Sequence, residues 1–273
     1  MTLGAPSPSP ASWEDDLTLI TAAARAAGTR ALEFFRREPE VWWKNHDRSP
    51  VSAADYAAND ILKGLLLKAR PDYGWLSEET DDDETRRTRD TVFVVDPIDG
   101  TRAFIAGKDV WCVSVGVVHQ GRPVAGVLYA PALDETFQAS LSGPALKNSR
   151  TITVSSLSAG AQRRFASAED MVRGMDAAYG SSIDRVSHIP SLAYRLAMVA
   201  DGRLDGTIVK KNSHDWDLAA ADLILDRAGG SLVDLDGLPL SYNRPTVVHG
   251  VLCAAPKADL AALLRASQGL HSH

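Results

Sequence analysis

The sequence has few of the features that mark a specialised class of protein. Only two cysteines occur in 273 residues, and Cys112 and Cys253 lie far apart and outside any C-x-x-C spacing. Neither a disulfide framework nor a zinc site is therefore indicated. No apolar run approaches the ~20 residues of a membrane-spanning helix, and the start of the chain lacks the pattern of a signal peptide. We expect a cytoplasmic protein that does not insert into a membrane.

An excess of basic residues is also missing. The chain has 29 Lys and Arg against 35 Asp and Glu, which gives a formal net charge of −6. Proteins that bind a nucleic-acid polymer normally carry a basic stripe, so this class is not indicated. The motifs G-x-G-x-x-G and G-x-x-x-x-G-K-[ST] do not occur either, which argues against an oxidoreductase with a dinucleotide cofactor and against a P-loop kinase.

The first half of the chain combines helices with short strands. Residues 1–11, in which proline alternates with serine, predict a disordered arm. Helical spacing predicts one helix from Ser12 to Arg37 and another from Ser52 to Ala69. Strands separated by turns then predict an antiparallel sheet. Its expected strands are 74–76, 91–95, 111–118, 123–129 and 135–139.

The second half alternates helices and strands after Gly143. The expected helices are 168–178, 191–200, 218–227 and one after Pro256, and the expected strands are 206–209, 231–233 and 248–254. We therefore predict an α/β (α+β) protein with an N-terminal lobe at 12–145 and a C-terminal lobe at 146–273. The charged segment 81–87 predicts a solvated loop.

The segment Asp96–Thr101 concentrates candidate functional groups. Asp96 and Asp99 follow the apolar run Val92–Val95 directly, and a buried strand that ends in acid normally needs a cation. Pro97 suits a strand exit, and Gly100-Thr101 opens a turn whose free amides can face an anion. The segment therefore predicts metal ligands beside a phosphate cradle.

Further acids lie at the edges of other apolar elements. Glu78 and Glu79 follow Trp75-Leu76, and Asp217 follows Trp216. Any one of them alone would be interpreted as a helix cap or an exposed turn. As a cluster they would repel one another unless protonated or neutralised. Carboxylate and carbonyl oxygens suit Mg²⁺ or Mn²⁺ better than zinc or copper.

These residues resemble the signature motifs of the inositol monophosphatase superfamily, in the order that the family has them. The three main motifs are similar to residues 76–79, 96–101 and 216–220, and two lesser elements are similar to residues 49–55 and 228–230. The resemblance covers nearly everything after Ser12. It implies a layered α-β-α-β-α sandwich of the inositol monophosphatase / fructose-1,6-bisphosphatase type. It also implies a homodimer that hydrolyses phosphate monoesters with Mg²⁺ and is often inhibited by Li⁺.

The resemblance also implies roles for single residues. One metal would be held by Glu78, Asp96 and the carbonyl of Ile98, and a second by Asp96, Asp99 and Asp217, with a third ion possible. Asp55 and Thr101 would orient the attacking water, Glu79 is a further candidate catalytic acid, and the amides of Gly100 and Thr101 would bind phosphate oxygens. Two ions that bridge the phosphate would stabilise its charge and lower the pKa of the water.

The predicted substrate class rests on a comparison of individual segments with subgroups of the superfamily. Residues 49–51, 76–79, 99–105 and 127–131 look more like those of bacterial 3′(2′),5′-bisphosphate nucleotidases than of animal inositol phosphatases. In the latter, a carboxylate that contacts inositol lies six residues before the tryptophan of the third motif. Here that position is Lys210, followed by Lys211, and a cation suits a second phosphate.

Arg195 falls about where the nucleotidases tend to carry lysine, and Ser191 begins the same predicted helix. We therefore predict that Ser191, Arg195, Lys210 and Lys211 contact the substrate, although solvated surface charge explains the three cations equally well. Pro190 departs from the glycine that the family commonly has. The expected reaction removes the 3′-phosphate of 3′-phosphoadenosine 5′-phosphate.

Inositol-1-monophosphatase is the alternative activity, and fructose 1,6-bisphosphate is a further candidate substrate in the superfamily. A non-catalytic binding module on the same fold is a different kind of hypothesis. Loss of a metal ligand or of the motif threonine would mark such a module, and neither is lost here.

Overall fold

The computed structural model describes residues 10–37, 41–44, 49–158 and 160–272. Its helices are α1 (Pro10–Leu32), α2 (Ala53–Ala69), α3 (Thr101–Ile105), α4 (Glu169–Arg173), α5 (Ala177–Gly180), α6 (Leu192–Ala200), α7 (Asp215–Arg227) and α8 (Lys257–Ala266). Three short 3₁₀ segments lie at Glu84–Thr88, Pro131–Leu133 and Gln268–Ser272.

The strands form two main sheets and three small pairs. Those of the first half are β1 (Val41–Lys44), β2 (Ser49–Ser52), β3 (Gly74–Ser77), β4 (Thr91–Asp99), β5 (Cys112–His119), β6 (Arg122–Ala130), β7 (Glu135–Ser140), β8 (Leu146–Lys147) and β9 (Arg150–Thr151). Those of the second half are β10 (Arg163–Phe165), β11 (Ile183–Arg185), β12 (Thr207–Val209), β13 (Ser213–His214), β14 (Gly230–Asp234), β15 (Val248–His249) and β16 (Leu252–Pro256).

The larger sheet has the order β3-β4-β5-β6-β7-β8-β9. Every residue of β4 is buried, as expected for a strand that is covered on both faces. The predicted antiparallel pairing is correct for all neighbours except β3 and β4, which are parallel. Parallel pairing is possible there because residues 78–90 form a connection long enough to return the chain to the same edge.

The layers follow the predicted α-β-α-β-α order. Helices α1 and α2 pack on one face of the larger sheet, and α7 packs on its other face beside α6. The smaller sheet, β12-β16-β14, covers the far side of this helical layer, and α8 covers the outer face of the smaller sheet. One apolar cluster contains residues of both sheets and of the helices between them, so α7 is buried between two sheets.

Small residues let α7 approach the larger sheet closely. A Cβ built on Gly126 of β6 would lie 2.9 Å from the backbone oxygen of Ala220, and one on Gly116 of β5 would lie 3.3 Å from the Ala219 Cβ. Glycine in a strand interior often marks such a close approach. The position of α7, which carries Asp217, therefore depends on these glycines.

The structure corrects several predicted boundaries. Residues 1–9 of the expected arm lie outside the described residues, but α1 already includes Pro10. This helix ends at Leu32 rather than Arg37, because turns follow it and Arg36 has a φ of 60°. Gly174 separates α4 from α5 within the single helix expected there, and β9 extends the first sheet to Thr151, beyond the predicted lobe boundary.

The charged segment 81–87 is only partly a solvated loop. Its four acids are exposed as predicted, whereas Arg86 is only 2% exposed. The Arg86 guanidinium donates to both carboxylate oxygens of Asp82, at 2.6 and 2.8 Å, and to Asn243 Oδ1 at 2.5 Å. Such pairing is what allows a guanidinium to be buried. Within the described ranges, none of the helices combines the length and the apolar character needed to cross a bilayer.

We expect Gly126→Ala to lower the free energy of unfolding by about 1–3 kcal/mol, because the added methyl group would collide with the α7 backbone. The matched control is Gly64→Ala, since Gly64 lies on the exposed side of α2 with nothing within 4 Å of its built Cβ. That change should raise stability by about 0.5–1 kcal/mol. Urea unfolding measures both, and equal effects of the two changes would contradict the close packing of α7.

Candidate active site

A cavity of about 730 Å³ opens where the larger sheet, α6 and α7 meet. One end is acidic and contains Glu78, Asp96, Asp99 and Asp217. Another part of its wall carries basic side chains. Further lining residues include Ile98, Gly100, Thr101, Arg102, Lys108, His188, Pro190, Arg195, Lys210, Lys211 and Asn212. The predicted metal ligands and most of the predicted substrate contacts thus share one cavity.

An irregularity in β4 brings Asp96 and Asp99 to the same cavity. Side chains three residues apart on a regular strand point to opposite faces. Here Asp96 pairs with Ser114 and Asp99 with Cys112, so β4 carries one extra residue between the two pairs. A β-bulge of this kind re-aims side chains. Both carboxylates consequently face the cavity although every residue of their strand is buried.

Asp217 and Asp55 occupy equivalent positions in two different helices. Each is the third residue of its helix, and each accepts a hydrogen bond from the backbone N–H of the residue before that helix: His214 to Asp217 at 2.7 Å and Ser52 to Asp55 at 2.8 Å. This capping-box geometry fixes the carboxylate. It also places the carboxylate at the positive end of the helix dipole.

Three of the predicted metal ligands form one cluster. Asp96, Asp99 and Asp217 each offer a carboxylate oxygen, and these oxygens lie within 4.8 Å of one another. Glu78 lines the same end of the cavity, where its N–H donates to the carbonyl of Val95 at 3.2 Å. An all-oxygen donor set of this kind fits a hard divalent cation.

The acidic cluster is electrostatically strained without a cation. Burial, together with the charges of Glu78, Asp99, Asp217 and Asp55, holds the pKa of Asp96 well above its ordinary value. Burial and Asp217 raise the pKa of Asp99 to about 6, although hydrogen bonds from α6 oppose this shift. No lysine or arginine of the described segments forms an ion pair with either carboxylate. A bound divalent cation would supply the missing positive charge.

Asp55 and Thr101 lie next to each other. The Thr101 hydroxyl lies 3.1 Å from Asp55 Oδ1 and 3.0 Å from the carbonyl oxygen of Ile98. The second Asp55 oxygen accepts from the Ser52 hydroxyl at 2.6 Å. Glu79, the other candidate catalytic acid, is not among the residues that line the cavity; its N–H donates to the Ser77 hydroxyl at 3.3 Å.

Gly100 begins the predicted phosphate cradle. Its φ of 97° places it in the left-handed region that favours glycine, and it precedes α3. A Cβ there would lie 3.2 Å from Ser191 Cβ. Gly100 and Thr101 both line the cavity. The first N–H groups of a helix have no partner within it, so they are available to an anion.

Ser191 is placed differently from its predicted role. Its side chain is fully buried and its hydroxyl donates to Asp99 Oδ2, while the N–H groups of Leu192 and Ala193 donate to the same carboxylate at 3.2 and 2.7 Å. Ser191 also accepts from the N–H of Tyr194 as the N-cap of α6. We therefore reassign Ser191 from a substrate contact to a residue that holds Asp99.

The basic part of the wall collects residues from separate elements. Lys108 follows α3, His188 precedes α6, Arg195 belongs to α6, and Lys210 and Lys211 follow β12. Burial lowers the pKa of His188, and Arg195 and Lys108 add to this effect. Lys108 and His188 were not among the site residues predicted from the sequence. Lys108 follows the Asp96–Thr101 motif in the chain, which was the one available signal for it.

The predicted basic contacts differ in their availability to a ligand. Lys210 is engaged, since its ammonium lies 2.5 Å from Asp170. Arg195 has a buried Nε without a hydrogen-bond partner, and burial lowers the pKa of its guanidinium to about 10. Within the described residues, neither Arg195 nor Lys211 forms an ion pair. Arg195 and Lys211 are therefore available to bind an anion, whereas the Lys210 ammonium is already paired with Asp170.

Known proteins of the same kind match the whole chain rather than its motifs alone. A model of the inositol monophosphatase family matches residues 13–272. An inositol-1-monophosphatase from Mesorhizobium japonicum is 34% identical over 215 residues, covering 73% of this chain and 77% of that protein. A histidinol-phosphatase from Mycobacterium tuberculosis is 32% identical over 247 residues, covering 82% and 89% respectively. Among solved structures, the extragenic suppressor protein suhB from Bartonella henselae has a TM-score of 0.81 at 28% identity, covering 93% of this chain and 98% of that one.

The raised pKa of Asp99 generates a prediction about the metal-free protein. Between pH 4 and pH 7 the folded state retains a proton that the unfolded chain has released, so the free energy of unfolding should fall as pH rises. With a folded pKa of about 6, the loss should be about 3 kcal/mol larger in the wild type than in Asp99→Asn. Urea unfolding in EDTA at several pH values measures this difference, and parallel profiles for the two proteins would contradict it.

Proposed function

Because this chain belongs to the inositol monophosphatase family, we propose that it is a Mg²⁺-dependent phosphate monoesterase whose preferred substrate carries a second anionic group, as a 3′(2′),5′-bisphosphate nucleotide does. One observation carries the proposal: the acidic residues line the same cavity as Arg195 and Lys211, two cations that form no ion pair within the described residues. The first feature suits a metal-bound phosphoryl group. The second suits a further phosphate on the leaving group.

The acidic end would hold the metal. Glu78, Asp96, Asp99, Asp217 and the Ile98 carbonyl provide the ligands for two or three Mg²⁺ ions. When bound, these ions supply charge neutralisation of the phosphoryl group and a lower pKa for the attacking water. Hydrogen bonds from α6 to Asp99 and from His214 to Asp217 keep two of these carboxylates oriented before any ion binds.

Asp55 and Thr101 would orient the nucleophile. When the Thr101 hydroxyl donates to Asp55, its oxygen can accept a hydrogen bond from water. Asp55 is fixed in turn by Ser52, so the acceptor does not reorganise during the reaction. The N–H groups of Gly100 and Thr101 would donate to the phosphate oxygens, where negative charge concentrates. No covalent intermediate is required.

Arg195 and Lys211 would recognise the second anion. Arg195 has a guanidinium nitrogen that is buried without a hydrogen-bond partner, and such a group costs free energy until a ligand satisfies it. Lys211 is exposed on the cavity wall. Lys108 and His188 lie on the same wall and would add to the positive potential, with His188 contributing only when protonated.

Inositol-1-monophosphatase is the second candidate function, because relatives of that name match most of the chain. The four acids that line the cavity all belong to its metal-binding end. Among the described residues, the basic wall therefore offers no carboxylate to accept hydrogen bonds from inositol hydroxyls. Histidinol phosphate, the substrate class implied by the name of another relative, carries an ammonium group that the same wall would repel.

Substrate choice tests the proposal directly. In the presence of Mg²⁺, kcat/KM for 3′-phosphoadenosine 5′-phosphate should exceed that for inositol 1-phosphate and histidinol phosphate by at least about tenfold, the value of one charge-assisted contact. Fructose 1,6-bisphosphate carries a second phosphate but no nucleoside. Its kcat/KM therefore shows whether the second phosphate alone is enough for the preference. Phosphate release provides the rates, and a preference for inositol 1-phosphate would favour the second candidate.

Variants of the basic wall locate the contact. Arg195→Gln and Lys211→Ala should each raise KM for the bisphosphate about tenfold and leave a simple monophosphate ester almost unchanged. Lys210→Ala is the matched control, because its ammonium already pairs with Asp170 and its loss should have a clearly smaller effect. Equal losses on both substrates would indicate a structural role for Arg195 and Lys211.

The Thr101 hydroxyl provides a test of the catalytic assignment. Thr101→Val keeps the shape of the side chain but removes the group that contacts Asp55, so kcat should fall about a hundredfold with little change in KM. Thr101→Ser keeps the hydroxyl and should restore most of the rate. Near-normal turnover in Thr101→Val would refute the assignment of Asp55 and Thr101 to the attacking water.

A further inference from the structure

The segment 211–217 carries both Lys211 of the basic wall and the candidate metal ligand Asp217. Between them, Asp215 points away from the cavity and is fully buried. Its Oδ1 lies 2.7 Å from His249 Nε2, and the exposed side-chain fractions of Asp215 and His249 are 0% and 3%. This distance is that of a hydrogen bond between the imidazole and the carboxylate.

Asp215 also belongs to a longer hydrogen-bond network. Its Oδ2 accepts the N–H of Asn243 at 2.7 Å, and Asn243 Oδ1 accepts from the Arg86 guanidinium at 2.5 Å. Arg86 is held by Asp82, as described above, and donates to the carbonyl of Arg244 at 3.1 Å. The network therefore connects the 3₁₀ segment after β3, the loop 242–247 and the start of α7.

Stability alone does not account for a buried carboxylate of this kind. Removing one from water costs several kcal/mol, and well-packed apolar residues of similar volume are often at least as stabilising. Directional contacts differ from apolar packing in that they define one relative position of the two groups. The Asp215–His249 contact therefore fixes geometry more than it adds stability.

The geometry that it fixes is that of Asp217. The strand β13, which contains His214, pairs with β15, which contains His249. On either side of this pair, the Asn212 N–H donates to the His249 carbonyl and the Asp215 N–H donates to the Val247 carbonyl, both at 2.9 Å. His214 in turn donates its N–H to Asp217 Oδ2. A shift of β15 would therefore move the donor that orients Asp217.

We propose that Asp215 and His249 are positioning residues that hold the segment 211–217 against β15 and thereby set the metal affinity of Asp217. This inference rests on the proposed function, because it takes Asp217 to be a metal ligand. Residues that orient metal ligands from behind typically change metal affinity 10- to 100-fold when they are lost. Asp215 and His249 should act in this range without touching metal or substrate.

The test measures Mg²⁺ binding rather than turnover. Isothermal titration of the metal-free protein with MgCl₂ should give a Kd about tenfold weaker for His249→Leu than for the wild type. His249→Gln keeps an N–H donor and should recover most of the affinity. Circular dichroism establishes that each variant is folded at the titration temperature. If His249→Leu does not fold, Asp215→Asn, which keeps its size but loses its charge, should still bind Mg²⁺ more weakly than the wild type.

Asp205→Asn is the matched structural control. Asp205 is likewise fully buried, and it pairs with Arg164 at 2.9 Å away from the cavity-lining residues. This variant should lower the melting temperature but leave the Kd for Mg²⁺ unchanged. A His249→Leu variant that behaves in the same way, destabilised with wild-type affinity, would overturn the positioning role. Failure of the wild type to bind Mg²⁺ would instead contradict the proposed function on which this inference rests.

Discussion

Repulsion among buried carboxylates is the constraint on which the rest of this structure depends. Asp96 and Asp99 lie on a strand that is buried at every residue, and Asp217 joins them from a helix that is enclosed between two sheets. Asp96 and Asp99 cost free energy where they stand, because burial and the neighbouring carboxylates raise the pKa of both and so oppose their charged forms. The fold offsets part of this cost locally, through three hydrogen bonds at Asp99. A bound divalent cation would offset the remainder.

The central helical layer connects the two properties of the cavity. Helix α7 contributes Asp217 to the acidic end, and α6 contributes both the donors that hold Asp99 and the guanidinium of Arg195. Because α7 lies against Gly116 and Gly126, its position relative to β4 is tightly determined. The same layer therefore supports the metal ligands and the basic wall, and a substrate with two anionic groups would span both.

The features that depend on local sequence motifs are the ones that could be predicted from the sequence. The acids of β4 and the start of α2 depend on neighbours within a few residues, and the structure has a strand and a helix at these positions. Helix α7, by contrast, begins at Asp215 rather than at the predicted residue 218. The family resemblance added the layer order, which spacing alone does not supply. The homodimer, the lithium sensitivity and the disordered arm remain predictions.

Pairings across the chain could not be predicted in this way. Lys210 is engaged by Asp170, Ser191 lies behind Asp99, and Arg86 is buried against Asn243, 157 residues away. Each of these partners is chosen by tertiary packing, which a charge pattern does not reveal. Binding of a divalent metal by the carboxylate cluster is tested most directly by anomalous diffraction from crystals soaked in Mn²⁺ at pH 7.5. We expect anomalous peaks among Asp96, Asp99, Asp217 and Glu78, and ordered density for these four side chains without such peaks would contradict the account.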